Sequence, residues 1–170
     1  MGGPHWREVH KGDVRCRLLA DGHYSRQTPG HPMFTRPGYN LVLYAIGPKG
    51  GAVYVWWRPK WEDGRKGTSR MDGLRAIECT IFRNVSGLLS SELIREAVDL
   101  LPTWEHAQDT DWPDGAITGV NSDKTRKGRS KRSQPGECFL RAGWRPFLHR
   151  ATRRADIWLR APLSRDRKEP

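Results

Sequence analysis

Apolar residues recur along this chain with two different periods, and each period predicts an element. Within residues 13–24, Val14, Leu18, Leu19 and Ala20 fall at near-helical spacing with Gly22 close behind, which predicts a short helix ending at His23. Residues 28–40 carry Pro29, Gly30, Pro32, Pro37 and Gly38, a density of breakers that no helix tolerates, and read as an irregular loop. Two β-branched and aromatic runs, residues 41–46 and 52–57, flank Gly47-Pro48-Lys49-Gly50-Gly51, which predicts an antiparallel hairpin with a loop of about five residues.

After a charged, Gly-containing excursion over residues 60–73, residues 76–82 alternate Ile77, Cys79 and Ile81 against Glu78, Thr80 and Phe82, the pattern of a strand. Ser90 then offers an N-cap, Glu92 complements the first turn, and Leu93, Ala97, Leu100 and Leu101 share one face of a helix that Pro102 ends. Residues 104–114 read as a linker and residues 116–120 as a short central strand, with Asn121-Ser122-Asp123 at its C-terminal end. Gln134-Pro135-Gly136 opens a short helix over 137–142 that Gly143 stops, and Trp144 stands where it can pack that helix down. Residues 156–160 form a last strand before a polar tail at 163–170. With no internal repeat and 170 residues, the chain reads as one domain, since a domain usually runs to roughly 100–200 residues.

Charge narrows the partner class. Lys and Arg number 30 against 19 Asp and Glu, a formal net charge of +11 that suits a protein meeting a polyanion, and nucleic acid leads. The hydrophobic fraction is low at 36%, but eight Trp supply enough large apolar bodies for a core. No apolar run approaches the ~18–20 residues of a membrane helix and residues 1–12 are polar, so no membrane partner and a cytoplasmic location in a bacterial host are expected. Cys16, Cys79 and Cys138 are odd in number and far apart, which argues for buried free thiols over a zinc site or a disulfide set.

The element order over about residues 10–162 is similar to the GNAT acyltransferase fold, a mixed, mostly antiparallel α/β sheet flanked by helices. That resemblance implies that the third strand and its following helix splay from the next strand, with acyl-coenzyme A (acetyl-coenzyme A) in the gap and its pyrophosphate at the helix N-terminus. Unpaired N–H groups and the positive end of the helix dipole favour phosphate there. The corresponding turn supplies Arg83, Asn84, Ser86, Gly87, Ser90 and Ser91, with one glycine where the family usually has two closely spaced small residues.

A narrower resemblance rests on His23-Tyr24-Ser25, on Asn121-Ser122-Asp123, and on a short helix leading into Ala142-Gly143-Trp144. These look like the Mom proteins, phage enzymes of the GNAT superfamily that carry a carbamoylmethyl group onto the exocyclic amine of adenine in DNA and shield it from restriction. The resemblance implies catalytic roles for His23, Tyr24, Ser122 and Asp123 and double-stranded DNA with a flipped or exposed base as partner. Phe139 stands where the family pattern leads one to expect Tyr, so a phenol's role would pass to Tyr24 or Tyr39.

Each candidate has a plainer reading beside it. His23 is either a packed imidazole or a proton relay near neutral pH, Tyr24 a core aromatic or a donor to base or oxyanion, and Ser25 a turn cap. Glu78 is either a solvated strand residue or the carboxylate base of a conventional acyl-coenzyme A-dependent transferase acting on a protein or small-molecule amine. Arg83 is a surface cation or a phosphate contact, and a metal shared by His23 and Asp123 has no third ligand at diagnostic spacing. For DNA the candidates are Trp57, Arg58 and Lys60, beside Trp56, Trp61, Arg65 and Lys66, together with the basic loop 124–132: Lys124, Arg126, Lys127, Arg129, Lys131 and Arg132. Of the adjacent Trp56 and Trp57, one is expected in the core and the other free to face DNA, since neighbouring strand residues face opposite sides. A non-catalytic DNA-binding protein on the same scaffold is the third reading.

Overall fold

The glycines flanking Pro48-Lys49 extend the predicted hairpin instead of ending it. In the computed structural model, which describes residues 4–60, 70, 72–107, 112–126, 134–149 and 156–162, the chain runs β1 (Arg7–Val9), α1 (Val14–Asp21), β2 (Tyr39–Gly47), β3 (Gly50–Arg58), β4 (Ile77–Asn84), α2 (Ser90–Leu100), β5 (Ala116–Asn121), α3 (Ser122–Arg126), α4 (Glu137–Arg141), β6 (Arg145–Pro146) and β7 (Asp156–Arg160). β2 and β3 pair from Tyr39↔Arg58 to Gly47↔Gly50, which leaves a two-residue turn in place of the expected five-residue loop. Gly50 sits at φ +147°, and a Cβ on Gly47 would stand 2.6 Å from the Ser86 carbonyl oxygen, so both ends of the turn require glycine.

The strands form one seven-stranded sheet in the order β1-β2-β3-β4-β5-β7-β6, antiparallel except where β4 lies beside β5. With the four helices this is a mixed α/β single domain among the described residues. The edges are the three-residue β1 and the two-residue β6, too short to carry a readable alternation. Two helical expectations shift. Leu89, not Ser90, is the N-cap of α2, because the Ser90 hydroxyl is turned to accept from the Asn84 amide at 2.9 Å. The basic stretch begins as α3 instead of a loop, with Asn121 Oδ1 accepting the Lys124 N–H at 2.9 Å.

β4 meets β3 through a bulge: Val55 faces Ile81 and Trp56 faces Cys79, so Thr80 is the extra residue. The bulge reverses the expected alternation beyond it. Ile77 and Cys79 pack on the α2 side, whereas Ile81 joins Cys16, Ala20, Val53 and Val55 under α1, and Phe82 turns to Tyr54 and Phe139. Trp6 and Trp56, both fully buried, donate their indole N–H groups to the Leu93 and Ala97 carbonyls at 2.7 and 3.0 Å and so fix α2 against the sheet. Cys16 and Cys79 are buried thiols and Cys138 is half-buried. No helix among the described residues is long and apolar enough to cross a membrane.

Candidate functional site

β4 and β5 run side by side only from Ile77↔Ala116 to Cys79↔Thr118. The last rung is locked by the Thr118 hydroxyl, which donates to the Cys79 carbonyl at 2.9 Å. Past it comes the Thr80 bulge and the two strands part, leaving backbone groups on their inner edges without a ladder. A cavity of about 130 Å³ opens at this split, walled by Cys79, Thr80 and Phe82 of β4, by Thr118, Gly119 and Val120 of β5, and by Cys138 and Phe139 of α4. His23 and Tyr24 close it from the chain that leaves α1.

Tyr24 takes up backbone groups that β4 abandons. Its hydroxyl donates to the Gly119 carbonyl at 3.4 Å and accepts the Asn121 N–H at 3.5 Å, so a side chain from after α1 pairs the freed edge of β5. His23 stacks on the Tyr24 ring with centroids 4.3 Å apart, and its Nδ1 lies 2.7 Å from Ser25 Oγ and 3.2 Å from the Ser25 N–H. Burial, and after it the nearby Arg83 charge, push the His23 imidazole down to about 4, so it is neutral at pH 7. Expected as a proton relay near neutrality, His23 lacks a titration there.

Arg83, read from the sequence as a surface cation or a phosphate contact, reaches the end of α1. Its guanidinium donates to the Gly22 carbonyl at the C-terminus of α1, and a Cβ at Gly22 would stand 2.6 Å from Arg83 Cζ. A cation at that helix end is favoured by the dipole. In the β4–α2 turn, Asn84 Oδ1 accepts from the Ser86 N–H at 3.0 Å and the Ser86 hydroxyl at 2.6 Å, while Ser86 Oγ accepts from the Leu88 N–H at 3.1 Å. These groups bond to one another and organise the turn. Gly87 sits at φ +83°, Ser91 is buried, and no side chain caps the first turn of α2.

Glu78 neighbours Cys79 in sequence but faces the other side of the sheet, and neither the solvated nor the base reading holds. Its Oε2 accepts from Arg36 Nη1 at 3.1 Å and from Arg70 Nη1 at 2.7 Å, and its side chain is 5% exposed. Arg70 also grips Asp72, whose Oδ2 lies 2.9 Å from His149 Nε2. Burial works to raise the Asp72 carboxyl, yet the bonds from Arg70 and then His149 hold it well below the usual carboxylate range. Local reading missed this cluster because Arg36, Arg70 and His149 come from segments without periodicity; the one signal was a carboxylate on an otherwise apolar strand.

The same cluster corrects two DNA candidates. Trp57 does face away from Trp56, but that side of the sheet is covered as well: Trp57 donates to the Pro37 carbonyl at 2.8 Å, lies under Arg36 and Arg70, and is 3% exposed. Arg58, 5% exposed, donates to the His106 carbonyl. Both are covered in this fold, and neither presents a free surface to a duplex. Lys60 and Lys124 are exposed. Trp61, Arg65, Lys66, Lys127, Arg129, Lys131, Arg132 and the side chain of Arg126 lie outside the described residues.

Ser122 is half-buried and Asp123 exposed; both follow Asn121 directly, yet neither lines the cavity. Tyr39 stacks on His106 with centroids 3.8 Å apart and lies away from the cleft, so Tyr24 is the phenol at the split, facing Phe139 among its walls. Among the described residues no group of three or more His, Cys, Asp or Glu could hold a metal ion. In comparisons with known proteins, no family model, curated protein or solved structure matches the chain.

Proposed function

We propose that the protein is a DNA base-modifying transferase of Mom type, which adds a carbamoylmethyl or related acyl-derived group to the exocyclic N6 amine of adenine and thereby protects DNA from restriction. The observation that carries the reading is the convergence of His23 and Tyr24, from one end of the chain, on the split between β4 and β5, in a chain of net charge +11. A base inside a duplex cannot enter such a cleft, so the target is flipped or single-stranded. Phe82 and Phe139 give the cavity aromatic walls on which a flipped base can stack, and Lys124 at the start of the basic stretch stands exposed beside β5 for phosphate.

An acyl-coenzyme A donor fits the residues present: α2 begins with N–H groups that no side chain caps, directly after the parting β4. Ser90, Gly87 and the backbone around them would hold its phosphates, and the donor would supply an acyl group activated at its thioester carbon, with the coenzyme A thiol leaving; a carbamoylmethyl group, which joins the amine through a methylene carbon, would need a donor activated at that carbon. Tyr24 and His23 would orient the acceptor through hydrogen bonds. The same uncapped helix favours the alternative, a conventional acyl-coenzyme A-dependent transferase acting on a protein or small-molecule amine, but its proposed base Glu78 lies on the wrong face of the sheet and between two guanidinium groups. Plasmid recovered from bacteria that express the protein should resist restriction endonucleases whose sites contain adenine. Cleavage equal to that of control plasmid, with the protein folded, would defeat the reading.

A further inference from the structure

Building on the reading of the cleft as a base-modifying site, we propose that Ser25 is a positioning residue: it holds His23 in the neutral tautomer with its proton on Nε2, so that His23 acts on the cleft as a hydrogen-bond donor to an oxygen of the transferred group. Ser25 presents two donors to Nδ1, its backbone N–H and, at the shorter distance, its hydroxyl. The Ser25 N–H can only donate, and it lies 3.2 Å from Nδ1, so Nδ1 is the acceptor and the ring proton sits on Nε2. Ser25 Oγ, at 2.7 Å, is free to turn its own proton onto the same lone pair. Backbone bonds of this i, i+2 kind recur at His10 and His31, but only His23 adds the hydroxyl contact and stands at a cavity.

Among the described residues, none that lines the cavity favours the imidazolium. The titratable groups that share the cavity wall are the Tyr24 phenol and the Cys79 and Cys138 thiols, and the charged group on the packed strand is Arg83, a cation. Cys79 is pushed up by burial, so no thiolate answers a positive ring. Nε2 bonds to none of the described residues and is the nitrogen left for a ligand. A neutral donor next to a cation stabilises negative charge growing on a carbonyl or carboxylate oxygen, as an oxyanion hole does. A base could not do so.

Nitrogen NMR on the full labelled chain tests the assignment without reference to activity. The wild type should show one neutral tautomer, Nδ1 unprotonated and Nε2 protonated, from about pH 5.5 to 8. Ser25 is exposed, so substitutions there leave the fold intact, with circular dichroism as control. Ser25→Thr should preserve both the tautomer and the modification of plasmid adenine to within about twofold, whereas Ser25→Asp, whose carboxylate accepts, should move the proton to Nδ1 and lower modification about tenfold or more. A protonated Nδ1 in the wild type, titration near 6.5, or full activity in a tautomer-flipped Ser25→Asp would overturn the proposal. If the spectra are as stated and the wild type modifies no base, the functional reading falls while the tautomer assignment stands.

Discussion

Two neighbouring residues of β4 open onto opposite chemistries. Cys79, the last residue of β4 paired with β5, lines the cleft, where His23 Nε2 bonds to none of the described residues. Glu78 looks the other way, into a closed cluster in which Arg36, Arg70, Asp72 and His149 answer one another. The cluster forms where the strands are still paired, opposite Trp57 and Ile117, and the cleft begins one bulge later. The difference teaches how to rank polar residues in a basic chain: a buried charge with every partner inside the fold serves the architecture, and a half-buried neutral group with one free atom at a cavity serves a ligand.

The contrast can be broken most forcibly at Glu78. Replacing it with Ala takes from the buried Arg70 one of its two carboxylates and leaves Asp72 as the other, and chemical unfolding should record a loss of about 3 kcal/mol. A loss under about 1 kcal/mol would return Glu78 to the list of functional groups. His23→Ala should do the reverse: modification of DNA adenine falls about 100-fold, about 2.7 kcal/mol of activation free energy, while the unfolding midpoint barely moves.

The pH dependence of stability sharpens the same division. His23 titrates at about 4 in the folded state against about 6.5 when unfolded, so the unfolded chain binds more protons between those values. Its contribution is complete above about pH 6.5 and is lost as the pH falls toward 4. Unfolding free energies should therefore decline over that window in the wild type, and less so in His23→Gln. The smallest effect belongs to Arg83→Ala, which removes a cation from the α1 C-terminus at a cost of about 0.5–1 kcal/mol and should raise the His23 pKa modestly, because burial remains the larger cause.

Much of this architecture was legible where local pattern and tertiary packing agree. The last strand, residues 156–160, follows the bounds its composition suggests, and Trp144 does pack α4 down, stacking 6.1 Å from Trp56. His23 and Tyr24 stood out in the sequence through the likeness of His23-Tyr24-Ser25 to a short motif, and the structure puts both at the wall of the cavity. The rest was decided by distant chain. Whether Ile81 faces α1 or α2 depends on one extra residue at Thr80, which no period announces. Trp57 and Arg58 look like a stacking and phosphate patch until residues 36–38 and His106 cover them. Glu78 reads as a free carboxylate for the same reason: its two arginines lie 42 and 8 residues away.

The central claim is tested most directly by the mass of deoxyadenosine. Plasmid DNA from bacteria expressing the protein is digested to nucleosides and compared with DNA from cells expressing His23→Ala. The account predicts a second, heavier deoxyadenosine species whose added mass identifies the group transferred, present with the wild type and lost with the variant. Four unmodified nucleosides from cells that hold soluble, folded wild-type protein would contradict it.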